Sequence, residues 1–382
     1  MAGQNAPNPP VQFLGTSSFY QAIWKDAAIS YYVEREQDYD RVLDIFVRAN
    51  EAGTELTKPE IIISMLESKW KKGAKNKIDY LIERVNDRLP RTNNINLEFV
   101  MRSCLVLANL PVRYRINTFT NKNIDLIEGI WPNIGNAILR TLTLVNRFGI
   151  DRNNLTGLNV LIPLVSYLYK NPTKNFLGTT PFEVRNAGLM RRWLIMAMLN
   201  RVFGRGAEQV LANLRHVIQN CPRGADFPVK ELNIELSRMR FATELDDKAI
   251  RAYLDSEYPV EFLNLSLLYD DHFWDAVEIN QDHIFPKSLF ESSNPEFAAL
   301  PDKKKILFKK LCNKAANVQP LMDKENNEKR AKSFDKWLET RDKSFRRIHL
   351  IPADNSLLKF QRFDDFIVAR EALIIDKLKN SL

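Results

Sequence analysis

Cysteine is scarce. The 382 residues hold three, at positions 104, 221 and 312, with no C-x-x-C pairing. That excludes a disulfide framework and a cysteine-built zinc site, and it fits a reducing cytoplasm. Each reads as a small buried apolar residue. Long hydrophobic runs are also missing. The longest, residues 193–199, spans seven positions, far below the roughly 18 needed to cross a bilayer. No membrane partner is expected. The opening MAGQNAPNPP is polar and proline-rich. It lacks the basic and apolar regions of a secretory signal.

What is present is positive charge, unevenly spread. The net charge is +8. Residues 301–350 alone carry fifteen Lys and Arg against seven Asp and Glu, a surplus of eight. One block therefore accounts for the whole excess. Clustered positive charge is the footprint of a phosphate-backbone binder. A solvated lysine-rich surface is the plainer alternative.

With 45% apolar residues, the chain is long enough for two or three domains with a sizeable core. Residues 1–16 read as disordered. A strand is predicted over 29–34 and a helix over 38–50, capped by Asp38. Thr57-Lys58-Pro59-Glu60 is a capping box with an early proline, and it opens the next helix. From about 77 to 267 the periodicity is helical throughout, with breaks expected at Pro111, Pro132 and Pro172. Thr180-Pro181-Phe182-Glu183 is a second capping box. Arg191, Arg192, Arg201 and Arg205 each read as a solvated or ion-paired face rather than a phosphate contact. Residues 364–378 form a closing amphipathic helix.

Two stretches stand apart. Residues 277–287 read VEINQDHIFPK, an alternating strand that ends in Asp282-His283 and is stopped by Pro286. Residues 317–334 read NVQPLMDKENNEKRAKSF. Here a strand led by Asn317 is followed by a predicted turn at Asp323-Lys324 and a basic helix opening on Asn326. A second Asp-His pair, Asp271-His272, is followed by Phe273-Trp274 with no proline. It reads as ordinary packing.

Strand with Asp-His, loop, strand, then helix with Asn resembles a ββα-metal, or HNH, nuclease site. The DHIFPKS string and the N…N-x-x-K spacing resemble the HNH domain that ends the GmrSD-type restriction endonucleases. The resemblance covers roughly residues 28–380 and is sharp at 282–286 and 317–334. It implies a mainly α chain: a helical bundle followed by a ββα-metal nuclease domain embedded in helices. Phe46, Arg48, Asn50, Gly53 and Leu56 resemble the end of that family's ParB-like nucleotide-binding domain. The glutamine- and arginine-bearing motif expected upstream has no counterpart here. The expected domains are a remnant over 1–75, a helical linking domain over 76–268 and the nuclease domain over 269–382. The N-terminal half would be supplied by a separate subunit or missing. DNA would be the substrate, and phage defence the role the family implies.

Phosphodiester hydrolysis needs an activated water, charge neutralisation at the phosphate and help for the leaving 3′-oxygen. Magnesium, or manganese in its place, takes few protein ligands, all oxygen. Asp282 and Asn326 are the expected ligands, Asn326 being preferred over Asn327 for its spacing to Lys329. His283, with an ordinary pKa near 6.5, is the expected general base. Asn317 sits where the family's middle Asn lies and is expected to place His283 by bonding to backbone. Lys329, Arg330 and Lys332 are candidate phosphate contacts, a solvated basic face being the alternative. Asp282 and His283 also admit a purely structural reading as a strand-end ion pair. The competing functional reading is a non-catalytic nucleic-acid-binding or partner subunit.

Overall fold

In the computed structural model the described residues are 57–70, 73–269, 279–330 and 332–380, with isolated positions at 20, 25, 33, 41 and 45. The predicted strand 29–34 and helix 38–50, apart from single positions, lie outside them, as do Arg48, Asn50 and the Asp271-His272 pair. By contact the chain divides into 1–56 and 57–382. The second unit is mainly α.

Its first ten helices are α1 (Lys58–Lys69), α2 (Ala74–Asp87), α3 (Leu97–Leu107), α4 (Asn121–Arg147), α5 (Ile162–Lys170), α6 (Pro181–Leu199), α7 (Ala207–Asn220), α8 (Val229–Arg238), α9 (Asp247–Asp255) and α10 (Phe262–Leu268). Both capping boxes start a helix. The Thr57 amide donates to Glu60 Oε2 at 2.6 Å, and the Thr180 amide donates to Glu183 Oε2 at 3.2 Å. Each satisfies donors that a helix start leaves unpaired.

The long α4 packs against α1, α2, α3 and α5. It runs unbroken through Pro132, where a break was expected. Pro132 is exposed, while Ile124, Ile127, Trp131, Ile134 and Ile138 are buried on the opposite face. That burial holds both halves in line, and the single backbone bond lost to proline falls on the solvent side. Helix α5 is buried from Ile162 to Leu168. A helix that is apolar all round belongs at the centre of a bundle. Arg191 on α6 is buried, and its Nη2 donates to Ser266 O at 2.5 Å and Tyr269 O at 3.3 Å. It joins α6 to the end of α10 rather than forming a solvated face.

The C-terminal part contains β1 (Ile279–His283), α11 (Pro295–Ala298), α12 (Asp302–Leu311), β2 (Val318–Met322), α13 (Asp323–Lys329), α14 (Phe334–Leu338), α15 (Lys343–Ile348) and α16 (Phe363–Asn380). The two strands pair antiparallel, with Ile279 opposite Met322, Asp282 opposite Gln319 and His283 opposite Val318. Helix α13 follows β2 directly. It begins at Asp323, where a turn was predicted, and the Met322 amide donates to Glu325 Oε2 at 3.3 Å. Acidic residues suit that first turn because they offset the positive end of the helix dipole.

Packed phenylalanines hold this part together. Phe285 lies 5.2 Å from Phe363 and 5.0 Å from Phe366, centroid to centroid, both edge-on. Phe363 also meets Phe290 and Phe308. The apolar step after Asp282-His283 thus inserts into the core under α16. Arg370, wholly buried on α16, donates to Ala316 O at 2.7 Å, Val318 O at 3.0 Å and Tyr269 Oη at 2.9 Å. Its fork satisfies carbonyls at the entry to β2.

His349 is buried, its ring stacked 3.8 Å from Phe345. Burial, and then the charge of Arg370, pull its pKa down to about 3. The folded chain keeps this imidazole neutral, whereas the unfolded chain protonates it below about pH 6.5. The associated stability is complete above that value. It should fall as pH drops from about 6.5 towards 3, by about 1.4 kcal/mol per unit. Urea midpoints measured against pH should show this slope in the wild type and a flatter one in His349→Phe. Equal slopes would place the acid sensitivity elsewhere.

Candidate functional site

The site lies where β1 ends. Alternation along a strand sends neighbouring side chains to opposite faces, so Asp282 and His283 point away from each other. Asn280 and Asp282 face α13. Asn280 Nδ2 donates to Asp323 Oδ1 at 3.1 Å. Lys329 Nζ lies 2.8 Å from Asp282 Oδ2 and 3.1 Å from Oδ1, and it donates to His283 O at 2.6 Å. Gln319, cross-strand from Asp282, donates from Nε2 to Asp282 Oδ2 at 3.0 Å.

Lys329 was read as an outward phosphate contact. It is instead wholly buried, and only 11% of the Asp282 side chain is exposed. The reason is geometric. Helix α13 starts at Asp323, so its last turn lies over the end of β1, and a long side chain there reaches the carboxylate. Burial lowers the Lys329 pKa, and the neighbouring Asp282 opposes that shift. Arg341 holds the outer side of the helix, 3.7 Å from Glu325 and 2.8 Å from Glu328.

On the other face, Gln281 clamps the Val260 backbone, donating to its carbonyl and accepting from its amide, each at 2.7 Å. The Tyr258 amide donates to Asn313 O at 2.7 Å. These bonds set the exposed Tyr258 ring 4.5 Å from the His283 imidazole. His283 Nε2 lies 3.1 Å from Asn313 Oδ1. Burial lowers the His283 pKa, while Asn313 and Asp282 pull it back up. The neutral imidazole is therefore favoured. When Asn313 Oδ1 accepts from Nε2–H, the lone pair is on Nδ1.

Asn317 is fully buried and uses both ends of its amide. Its Oδ1 accepts from Phe285 N at 2.9 Å, and its Nδ2 donates to Phe285 O at 3.2 Å and Cys312 O at 2.8 Å. Its own carbonyl accepts from Ile284 N at 2.8 Å. The segment that leaves His283 is thus fixed to the segment that enters β2. Asn326 is half-buried one turn before Lys329, on the same side of α13 by helical spacing. Asn327 is exposed and donates to Asp323 Oδ2 at 3.1 Å. Arg330, at φ +45, and Lys332 are exposed beyond the helix end.

The structure therefore joins Asp282, Lys329 and His283 directly and Asn317 through the backbone, and leaves Arg330 and Lys332 at the surface. Gln319, Asn313, Tyr258 and Gln281 are site neighbours that sequence reasoning missed. Gln319 stands two residues after Asn317, but only the strand register places it opposite Asp282.

Among the described residues no group of three or more His, Cys, Asp or Glu side chains gathers as a metal cluster. The oxygen donors at Asp282 still fit a hard divalent ion, which needs few protein ligands. Gln319 is wholly buried, and its Oε1 has no hydrogen-bond partner, because its Nε2 is turned to the carboxylate. An unpartnered buried carbonyl oxygen beside a carboxylate offers two oxygen donors of the kind a hard cation takes.

Compared with models of known protein families, the chain matches none, and a search of curated proteins also returned no match.

The Lys329–Asp282 pair is the structural keystone of this geometry. Removing one partner of a buried pair typically costs about 3–5 kcal/mol, because the other charge is left uncompensated. Lys329→Met should lower the urea stability by about that amount. Lys329→Met with Asp282→Asn should recover part of the loss. A single mutant as stable as wild type would show that the pair does not hold the site.

Proposed function

We propose that the chain is a metal-dependent DNA endonuclease of the HNH type, acting in restriction of foreign or modified DNA. One observation carries this reading: an Asp-His pair ends the first strand of a strand–strand–helix unit, with the helix and a buried Asn both tied to that strand end. The surplus positive charge of residues 301–350 supports a DNA partner. No helix among the described residues is long and apolar enough to cross a membrane, and a cytoplasmic setting suits a DNA substrate.

Asp282, Asn326 and the Gln319 carbonyl are the residues that would hold magnesium or manganese. The ion, when bound, supplies Lewis acidity at the phosphate and stabilises the leaving 3′-oxygen. The protein's own part is proton transfer and placement. His283, kept neutral by burial and oriented by Asn313, takes a proton from the attacking water at Nδ1. Asn317 fixes the backbone that carries His283. Arg330 and Lys332, outside the helix end, meet phosphates flanking the cut.

A second reading has a specific observation behind it. Asp282 already has a protein cation against it in Lys329, which suits a non-catalytic nucleic-acid-binding or partner subunit.

Plasmid cleavage with magnesium, with manganese and with EDTA separates the two. The nuclease reading expects divalent-dependent cleavage that falls by at least about 100-fold in His283→Ala, with salt-sensitive DNA binding unchanged. Binding without cleavage in the wild type would favour the subunit reading. Equal cleavage by wild type and mutant would remove His283 from the chemistry.

A further inference from the structure

A cavity of about 190 Å³ lies in the helical part, away from the strand pair. It is lined by the last residues of α3 (Val106, Leu107), α5 (Tyr169, Lys170) and α7 (Ile218, Gln219), with Ser166, Arg215 and the turn residue Arg223. Three cations face it, and no carboxylate lines it.

Three helix C-termini meet here, so the plain account of the cations is that they offset helix dipoles. The magnitudes decide against that as the whole account. Each C-terminus carries about −0.5 of a charge, roughly −1.5 for the three. The three side chains supply +3, which leaves a surplus of about +1.5. The end of α5 is moreover served from outside this lining. Arg140 donates to Leu168 O and Asn171 O, each at 3.1 Å, and to Lys174 O.

The hydrogen bonds tell the same story. Arg215 Nη1 donates to Leu110 O at 2.5 Å. Its Nε is buried and has no hydrogen-bond partner. Burial lowers the Arg215 pKa, and no carboxylate raises it back. Lys170 Nζ donates to Ile218 O at 3.2 Å and to Gln219 O, both uncharged acceptors. Tyr169 has its pKa raised by burial and lowered by the nearby Arg223. The acids on this side, Asp226 and Glu231, line a separate cleft, and Asp226 is bonded to Arg185 and Asn186.

We propose that this cavity binds a phosphate group, held by Arg215, Arg223 and Lys170, with the Tyr169 ring beside it. A phosphate monoester carries about −1.5 to −2 charge at neutral pH and three acceptor oxygens. That matches the surplus of positive charge. The space is below the roughly 300–1,000 Å³ of drug-sized ligand sites, so the occupant is small: the free anion or a short phosphate ester. The inference is independent of the nuclease reading.

The test is the melting temperature of the full chain in inorganic phosphate, in glycerol phosphate and in chloride at matched ionic strength, with calorimetric titration of both phosphates. The site predicts a rise of a few degrees in phosphate over chloride. It also predicts loss of that rise in Arg223→Ala and Arg215→Gln. Arg223 is exposed on a turn, so its variant folds even if Arg215→Gln, which loses the bond to Leu110 O, does not. A larger rise with the ester identifies an organic phosphate as the occupant, and an equal or smaller one identifies the free anion. No rise in the wild type, or the same rise in Arg223→Ala, overturns the proposal.

Discussion

Lys329 reaches from the last turn of α13 to the end of β1 and sets its ammonium against the Asp282 carboxylate and the His283 carbonyl. Two formal charges are held there with almost no access to water. Such a pair contributes little net stability against an apolar replacement, but it tolerates no loss of one partner. What it supplies is placement. It ties helix to strand at one point and so determines which way the Asp-His pair can face. The Asn280–Asp323 and Gln319–Asp282 bonds then have a fixed frame.

The opposite face is held by amide side chains rather than charges. Gln281 matches the Val260 backbone as a neighbouring strand would, and Asn317 does the same for Phe285. Each amide satisfies backbone groups that irregular chain would otherwise leave unpaired. Beneath both faces, Phe285 anchors the chain two residues beyond His283 in the aromatic core under α16. Arg370 on the same helix secures the entry to β2. A charged face, an amide-clamped face and an aromatic floor thus converge on five residues of strand.

The local features were legible in the sequence because local residues cause them. Capping boxes at Thr57 and Thr180 bond within three residues, and they mark two helix starts. The closing helix buries Phe366, Ile367 and Leu378 as its periodicity suggests, whereas Leu373 is exposed and Arg370 is buried. The strand ending at Asp282-His283 follows from alternation and Pro286. Pro132 misled because its cost is local, whereas the burial that overrides it comes from helices packed elsewhere in the chain. The start of α13 was misplaced by three residues because Asp323 suits a turn as well as a first helical turn.

The sequence by itself determined the mainly helical character, the cap positions, the uneven charge and the candidate pair at the end of β1. Those depend on neighbours within a turn or two. Tertiary structure decided which cations face solvent and which face inward. Lys329 and Arg330 are adjacent in the chain, yet one is buried and the other exposed. Register decided that Gln319 opposes Asp282 across 37 residues of chain. A short-range pattern carries no information about that pairing, because it exists only once the two strands, the helix after them and the aromatic core close together.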